Sequence, residues 1–230
     1  MSLLPSTNEL KVLGAPIALR DGSRVRVRQG HSSDRDLLLR GFARLSEESR
    51  YRRFLAPKPE LSEANIHYLT EIDHHDHEAM IALDEATAGG IGVARYVRDS
   101  ERPAVAEVAV TVIDDWQGRG LGTLLLEVIS ARAREEGITT FTALMLATNH
   151  EMMDVIKALG PVGIVDMEAG TVEIEMPIPK LGLSPTLKKL LRISARNDIV
   201  VPLADRHGPR RGGDDQQRDV SAGQTPPPNR

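Results

Sequence analysis

The segment EVAVTVIDDWQGRGLGTLLLE, residues 107–127, holds the sharpest change of pattern in the chain. Its start belongs to an apolar β-type run, AVAEVAVTV at 104–112, interrupted by one charge, Glu107. Its end sets Leu121, Leu124, Leu125 and Val128 on one helical face that runs on through Ala131 to Gly137, a C-terminal capping glycine. Between them lies Gln117-Gly118-Arg119-Gly120-Leu121-Gly122. A strand that passes through such a turn straight into a helix gathers unpaired backbone N–H groups and the positive end of a helix dipole at one point. Glycines let the backbone approach an anion and accept positive φ, and Arg119 can add a charge-assisted contact, so the turn suits a phosphate. Each such bond contributes roughly 1.5–3 kcal/mol. The plainer alternative is a tight strand-to-helix turn whose glycines serve packing alone.

The spacing excludes two nucleotide signatures. No Lys-Ser or Lys-Thr follows the glycines, as a P-loop requires, and Leu125 stands where a G-x-G-x-x-G fingerprint needs its third glycine. Outward from the turn, HEAMIALDE (77–85), GGIGVARYV (89–97) and AVAEVAVTV form a three-strand meander. Before it, IALR and SRVRVR flank Asp21-Gly22, a hairpin signal, and helical spacing follows over Ser33–Leu45, from Ser46 through Phe54, and from Ser62 through Leu69. After the glycine turn and its helix come a buried strand, TTFTALML (139–146), a helix over 149–160, and two closing strands about Ala169-Gly170. This order predicts an α/β (α+β) domain: a mixed, mostly antiparallel sheet of about six to seven strands, with helices on both faces and a splayed central strand pair.

Composition narrows the function classes. Only seven aromatics occur in 230 residues, Phe42, Tyr51, Phe54, Tyr68, Tyr96, Trp116 and Phe141, too few and scattered to build a base-stacking platform, so no nucleic-acid partner is expected. The net charge of −4 conceals two parts: from Lys180 onward there are ten Lys or Arg against five Asp, and the preceding residues are correspondingly acidic. There is no cysteine, hence no disulfide framework and no thiolate site, which suits a reducing cytoplasm. Neither a signal peptide at MSLLPSTNEL nor an 18-residue apolar span is present, so no transmembrane segment is expected. The chain divides into a leader at 1–16, too short for a separate regulatory module, a domain at 17–179, a basic amphipathic helix and extension at 180–202, and a tail at 203–230 of disordered composition.

The glycine turn carries a resemblance. Q-G-R-G-L-G after a β-strand is similar to the Q/R-x-x-G-x-G/A pyrophosphate turn of the GCN5-related N-acetyltransferases. The order of elements over 24–178 is also similar to that family's sheet. LSEESRYRRF (45–54), LSEANIHYLTEIDHHDHEAMIAL (61–83) and AEVAVTVIDDWQGRGLG (106–122) resemble the acetyltransferase domain of bacterial protein lysine acetyltransferases. The resemblance implies acetyl-CoA as co-substrate. Its pantetheine arm would pair with the backbone of Val110 and Val112 where their strand splays from Thr140–Leu146. The amides of Gln117, Gly118, Arg119, Gly120, Leu121, Gly122 and Thr123 would hold the pyrophosphate, and Asn149 would orient the cofactor arm or the start of the next helix.

Amide formation needs a neutral amine, and a lysine of ordinary pKa is only about 0.04% neutral at pH 7, a deficit of roughly 4.6 kcal/mol. A base must remove the proton. Glu107 is the candidate, at the position of the general-base glutamate in the lysine acetyltransferases it resembles, and burial among Val and Ala would raise its pKa. Period 2 sets it with Ala109 and Thr111, opposite Val108, Val110 and Val112, which leaves open whether it faces the site or solvent. Many relatives carry a tyrosine seven residues after the asparagine as general acid; here that position is Ile156, which leaves solvent, Tyr51, Tyr68 or His150 for the role. Asp73-His74-His75-Asp76-His77 reads as a polar loop entering a strand, and no metal is expected. Trp116 reads as a packing residue at the turn. The first function class is therefore acetyl transfer from acetyl-CoA to a primary amine, a basic protein's lysine before a small amine such as an aminoglycoside, polyamine or amino acid. The second is a catalytically idle acyl-CoA sensor. A homodimer is compatible with either.

Overall fold

The computed structural model describes residues 16–157 and 160–178. The leader up to residue 15, the basic helix beyond 180 and the C-terminal tail lie outside the described residues. Eight strands form one sheet: β1 (Ile17–Ala18), β2 (Arg24–Gln29), β3 (His77–Asp84), β4 (Gly90–Arg98), β5 (Val105–Val112), β6 (Thr140–Leu146), β7 (Gly163–Glu168) and β8 (Thr171–Pro177), in the order β1-β2-β3-β4-β5-β6-β8-β7. The strand number is slightly above the expected six to seven, and the hairpin expected about Asp21-Gly22 is present, with Ile17 and Ala18 paired to β2. Five α-helices accompany them: α1 (Arg35–Ala43), α2 (Glu47–Phe54), α3 (Glu63–Thr70), α4 (Leu121–Glu135) and α5 (His150–Lys157).

Every neighbouring pair is antiparallel except β5 and β6, which run parallel. Their pairing covers only Val105↔Thr140, Ala106↔Phe141 and Glu107↔Thr142. Beyond Glu107 the two strands part, while β5 stays paired with β4 all the way to Val112. The sheet is thus split along half of its central seam.

Helix starts follow local chemistry. Ser46 Oγ accepts from the Ser49 N–H at the start of α2, and Ser62 with Asn65 forms a reciprocal capping box on α3. Asp34 is the N-cap residue of α1, but its side chain makes no capping bond. Its carboxylate is bound instead by both Nη atoms of Arg28, at 2.7 and 2.6 Å, and by the His31 N–H. A bidentate charged pair outcompetes a single helix N–H.

Helix α4 packs on one sheet face, where Leu121, Leu124, Leu125, Leu126, Val128 and Ile129 are all fully buried. Gly92 of β4 makes that approach possible: a Cβ there would lie 2.9 Å from Leu125 Cδ1 and 3.1 Å from the Thr111 carbonyl. The opposite face carries α1 to α3, whose Leu37, Phe42 and Phe54 close over Val93, Ala109 and Thr111. Burial of this apolar surface on both faces, at roughly 25 cal/mol per Å², is what holds the split sheet together.

Candidate active site

The site forms where the seam opens. The Ile113 N–H donates to the Ile91 carbonyl across to β4, so alternation along the strand turns the backbone groups of Val110 and Val112 the other way, toward the edge that β6 has left. One of those groups is engaged: the Val112 carbonyl accepts from Gln117 Nε2 at 3.0 Å.

Past Val112 the chain makes a short 3-10 turn, Asp114–Trp116, and enters the glycines. Gly118 and Gly120 have φ of +72° and +87°, which only glycine adopts without strain. Gly120 is the N-cap of α4 and offers no side-chain cap; the first helical bond runs from the Leu124 N–H to the Gly120 carbonyl. Among the described residues, no acceptor takes the N–H groups of Gly118 through Thr123. The Gln117 N–H, expected with them, is already donated to the Asp114 carbonyl at 3.2 Å, so the free run starts one residue later. A methyl placed on Gly118 would meet nothing within 4 Å, so the turn has open space before it. Free amides, an uncapped helix start and that space together fit a phosphate group.

Side chains fix this turn. The Asp114 carboxylate accepts from the Ser46 N–H at 2.8 Å, from Ser46 Oγ at 2.7 Å and from Ser49 Oγ at 2.9 Å. Against the cost of burial, these bonds hold its carboxyl below the usual carboxylate range. The residue that opens the turn is thereby bolted to the start of α2. Arg119 is also committed: it pairs with Asp21 Oδ2 at 3.1 Å, donates to the Asp115 carbonyl and lies 4.8 Å over the Trp116 ring. Its expected phosphate contact competes with those partners. Arg20, an exposed side chain the sequence reading passed over, lies closer to the free amides, its Nε 3.6 Å from where a Gly120 Cβ would stand.

Asn149 caps α5, its Oδ1 accepting from the Met152 N–H at 3.2 Å, which serves the start of the helix. Ile156 is fully buried, so the position where relatives carry a tyrosine lies away from the open seam's surface.

Glu107 marks the last row before the seam opens. It is exposed, without the burial among Val and Ala that would raise its pKa, on the face that period 2 left open: Ala106 and Val108 are buried on the α4 face, and Glu107 lies with Ala109 and Thr111 on the other. Register aligns it with two residues across the sheet, in the row His77–Val97–Glu107, and the next row places Arg95 opposite Ala109. Two arginines occupy this face. Arg95 is buried, and desolvation followed by the charge of Arg53 brings its pKa down to about 10. Burial also lowers the pKa of Arg53, on α2, against the opposing pull of Glu107. Tyr68, exposed on α3, stacks on His77 at 5.3 Å and underlies the Arg95 guanidinium at 5.7 Å. The signal for Arg95 was available, a lone charge in the apolar run GIGVARYV, the same signal that picked out Glu107. Arg53 gave none, because RYRRF reads as a solvated helix face.

The histidine loop has structural partners. Asp73 Oδ1 accepts from the N–H groups of His75, Asp76 and His77, His74 bonds Glu78, and His75 bonds Glu136. Of the other candidate acids, Tyr51 and His150 are exposed.

A profile of the acetyltransferase (GNAT) domain matches residues 24–162. Acetyltransferase Pat of Mycolicibacterium smegmatis is 32% identical over 176 residues, 76% of this chain and 52% of that protein, so the chain spans about half of Pat's length. Acetyltransferase PA5475 of Pseudomonas aeruginosa is 33% identical over 156 residues, 67% of this chain and 83% of that protein. The crystal structure of the GNAT domain of S. lividans PAT superposes with a TM-score of 0.65 at 37% identity, covering 71% of this chain and 96% of that one. Among the described residues, no helix is long and apolar enough to cross a membrane. The matched span contains the split seam, the glycine turn and Glu107, and the chain belongs to the GNAT acetyltransferase family.

Proposed function

We propose that the protein is an acetyl-CoA-dependent N-acetyltransferase acting on a primary amine, foremost a protein lysine, with Glu107 as general base. The observation that carries this reading is the seam between β5 and β6, which opens at Glu107 and leads directly to the free amides of Gly118 to Thr123.

The residues divide the work by position. The amides from Gly118 to Thr123 bind the pyrophosphate, with Arg20 beside them, and the outward backbone groups of Val110 with the N–H of Val112 pair the pantetheine arm as an added strand would. Bound there, acetyl-CoA supplies an activated thioester. Glu107 accepts the proton that the substrate ammonium must lose, directly or through a water at its exposed carboxylate. The amine nitrogen forms the new C–N bond, the C–S bond breaks, the electron pair leaves with the thiolate, and the acylated nitrogen sheds its remaining extra proton to solvent. With Ile156 buried, solvent at the open seam protonates that thiolate, a tolerable route for a thiol of ordinary pKa near 8.5.

The same transfer onto a small amine is favoured by one observation, the cavity of about 110 Å³ beneath α1 on the Glu107 face of the sheet, whose volume is of small-molecule size.

Acetyl-lysine mass spectrometry of a lysate treated with protein and acetyl-CoA, run beside a small-amine panel, tests the reading. New acetyl-lysines are expected. Glu107→Gln should lower kcat by about 10²–10⁴-fold with acetyl-CoA affinity unchanged. Unchanged turnover would remove Glu107 from the mechanism, and acetyl-CoA binding without thiol release for any amine would make the protein a sensor.

A further inference from the structure

The cavity beneath α1 has a polar wall that the chemistry above does not use. Its lining is largely apolar, including Leu37, Phe42, Ile72, Ile81 and Val93, yet both Arg53 and Arg95 border it. Arg95 is 6% exposed; its Nη2 donates to the Leu69 carbonyl at 2.8 Å, and its Nη1 is buried without a partner. Arg53 lies 5.3 Å from the Phe54 ring and makes no hydrogen bond or ion pair among the described residues. Two guanidinium groups thus border one cavity, and the buried Nη1 donor of Arg95 is left unmet there, which is costly. Among the described residues, no side chain on this face neutralises them by contact. Asp34 also borders the cavity, but Arg28 and the His31 N–H hold its oxygens. Glu107 acts on Arg53 only through space, His77 adds a ring with its Nε2 buried and unpartnered, and Tyr68 offers a ring face.

We infer that Arg95 and Arg53 form a carboxylate subsite, which receives the carboxylate end of a substrate through a short aliphatic stem lying in the apolar cavity. Arginine forks fit a carboxylate bidentately, and the ligand would satisfy the Nη1 donor that the fold leaves open. A volume near 110 Å³ is on the order of four waters at about 30 Å³ each, enough for a carboxylate on two or three methylenes. Arg95 is one register row from Glu107, close enough for such a stem to start at the reacting centre. This rests on the acyl-transfer reading and deepens it: the carboxylate belongs either to the acceptor, an amino acid, or to the far end of a dicarboxylic acyl group carried on CoA.

Binding is tested first, without turnover. At constant ionic strength, succinate should raise the wild-type Tm in a saturable way and the neutral isostere succinamide should not. Arg95→Met and Arg53→Met should each abolish the rise, with Arg95→Lys, which keeps the charge, guarding against loss of fold. Two kinetic arms then separate the sources. Succinyl-CoA is set against acetyl-CoA with one lysine peptide, and 4-aminobutyrate against n-butylamine with acetyl-CoA. The carboxylate-bearing compound should win by about tenfold or more in kcat/KM in one arm, and that ratio should collapse in both Met variants. A succinate effect matched by succinamide, a preference in neither arm, or one that survives both substitutions overturns the subsite. Saturable succinate binding with no thiol release for any pair would instead overturn the acyl-transfer reading and leave the anion subsite standing.

Discussion

His77 shows how a single residue couples the sheet to pH. It is half-buried, stacked on Tyr68, with Nε2 unpartnered, and burial, then the charge of Arg95, lower its pKa below the ordinary 6.5. The folded state therefore holds the neutral ring, while the unfolded chain takes up a proton as pH falls through about 6.5. Stability from this group is complete above that pH and is lost below it, toward the lower folded value. Urea midpoints measured at pH 7.5 and 5.5 should drop for the wild type and drop less for His77→Phe; equal drops would show that other groups set the slope. Gly120 is decided by geometry rather than charge. At φ +87° an alanine costs about 1–2 kcal/mol, and its methyl would meet Arg20 beside the free amides. Gly120→Ala should lower the urea midpoint by a corresponding amount and weaken acetyl-CoA binding in calorimetry, whereas intact affinity would argue against a phosphate role for the turn.

Between elements, the decisive link is Asp114. It carries the strand end of β5 and the start of α2 on one carboxylate, through Ser46 and Ser49, and Gln117 Nε2 extends the link to Ser49 Oγ at 3.3 Å and to the Val112 carbonyl. Helix α2 bears Arg53 and Phe54 against the cavity, so the glycine turn and the cavity wall are positioned by the same four side chains. Asp114→Asn keeps the shape and loses the charge; Asp114→Ala loses both and should destabilise by about 1–3 kcal/mol, since it leaves hydroxyl and N–H donors unmet. The Ala variant should raise KM for acetyl-CoA and for the amine together, which steady-state kinetics over both substrates would detect. A change in one KM alone would show that the two halves of the site are built independently.

Across the whole molecule, the network around Glu78 joins parts that are distant in sequence. Glu78 is fully buried, and it accepts from Gln29 Nε2, from the Ala79 N–H and from Arg132 Nε, with His74 Nδ1 at 2.9 Å. Arg132 of α4 reaches on to Glu135, Glu136 and the His74 carbonyl. The charged network at the start of β3 thus ties the histidine loop to α4. Removing one partner of such a buried pair strands the other, so Glu78→Leu should cost on the order of 3–5 kcal/mol by chemical unfolding. Arg132→Met with Glu78→Leu should recover part of that loss, and additive losses would mean that the pair is not coupled.

How much of this was legible follows from the same residues. The order of strands and helices, the glycine turn and the place of Glu107 in its strand were readable because each is a local pattern: alternation, helical spacing, positive-φ glycines. Asp34 stands at the N-cap of α1 but makes no side-chain capping bond, because Arg28, six residues away on another element, claims its carboxylate. The face of Glu107 was not legible because period 2 divides a strand into two faces without saying which one a helix covers; here α4 takes Val108, and Glu107 is left exposed. Arg53 was passed over because a basic run on a short helix looks solvated until the helix is laid on a sheet.

The sequence by itself determined the elements and the phosphate-type turn, since these depend on residues near one another in the chain. The tertiary structure alone decided where the seam opens, which amides remain free and which two arginines share a cavity. Those are outcomes of pairing between distant segments, and the free energy that selects them is the burial of surface that no local pattern records.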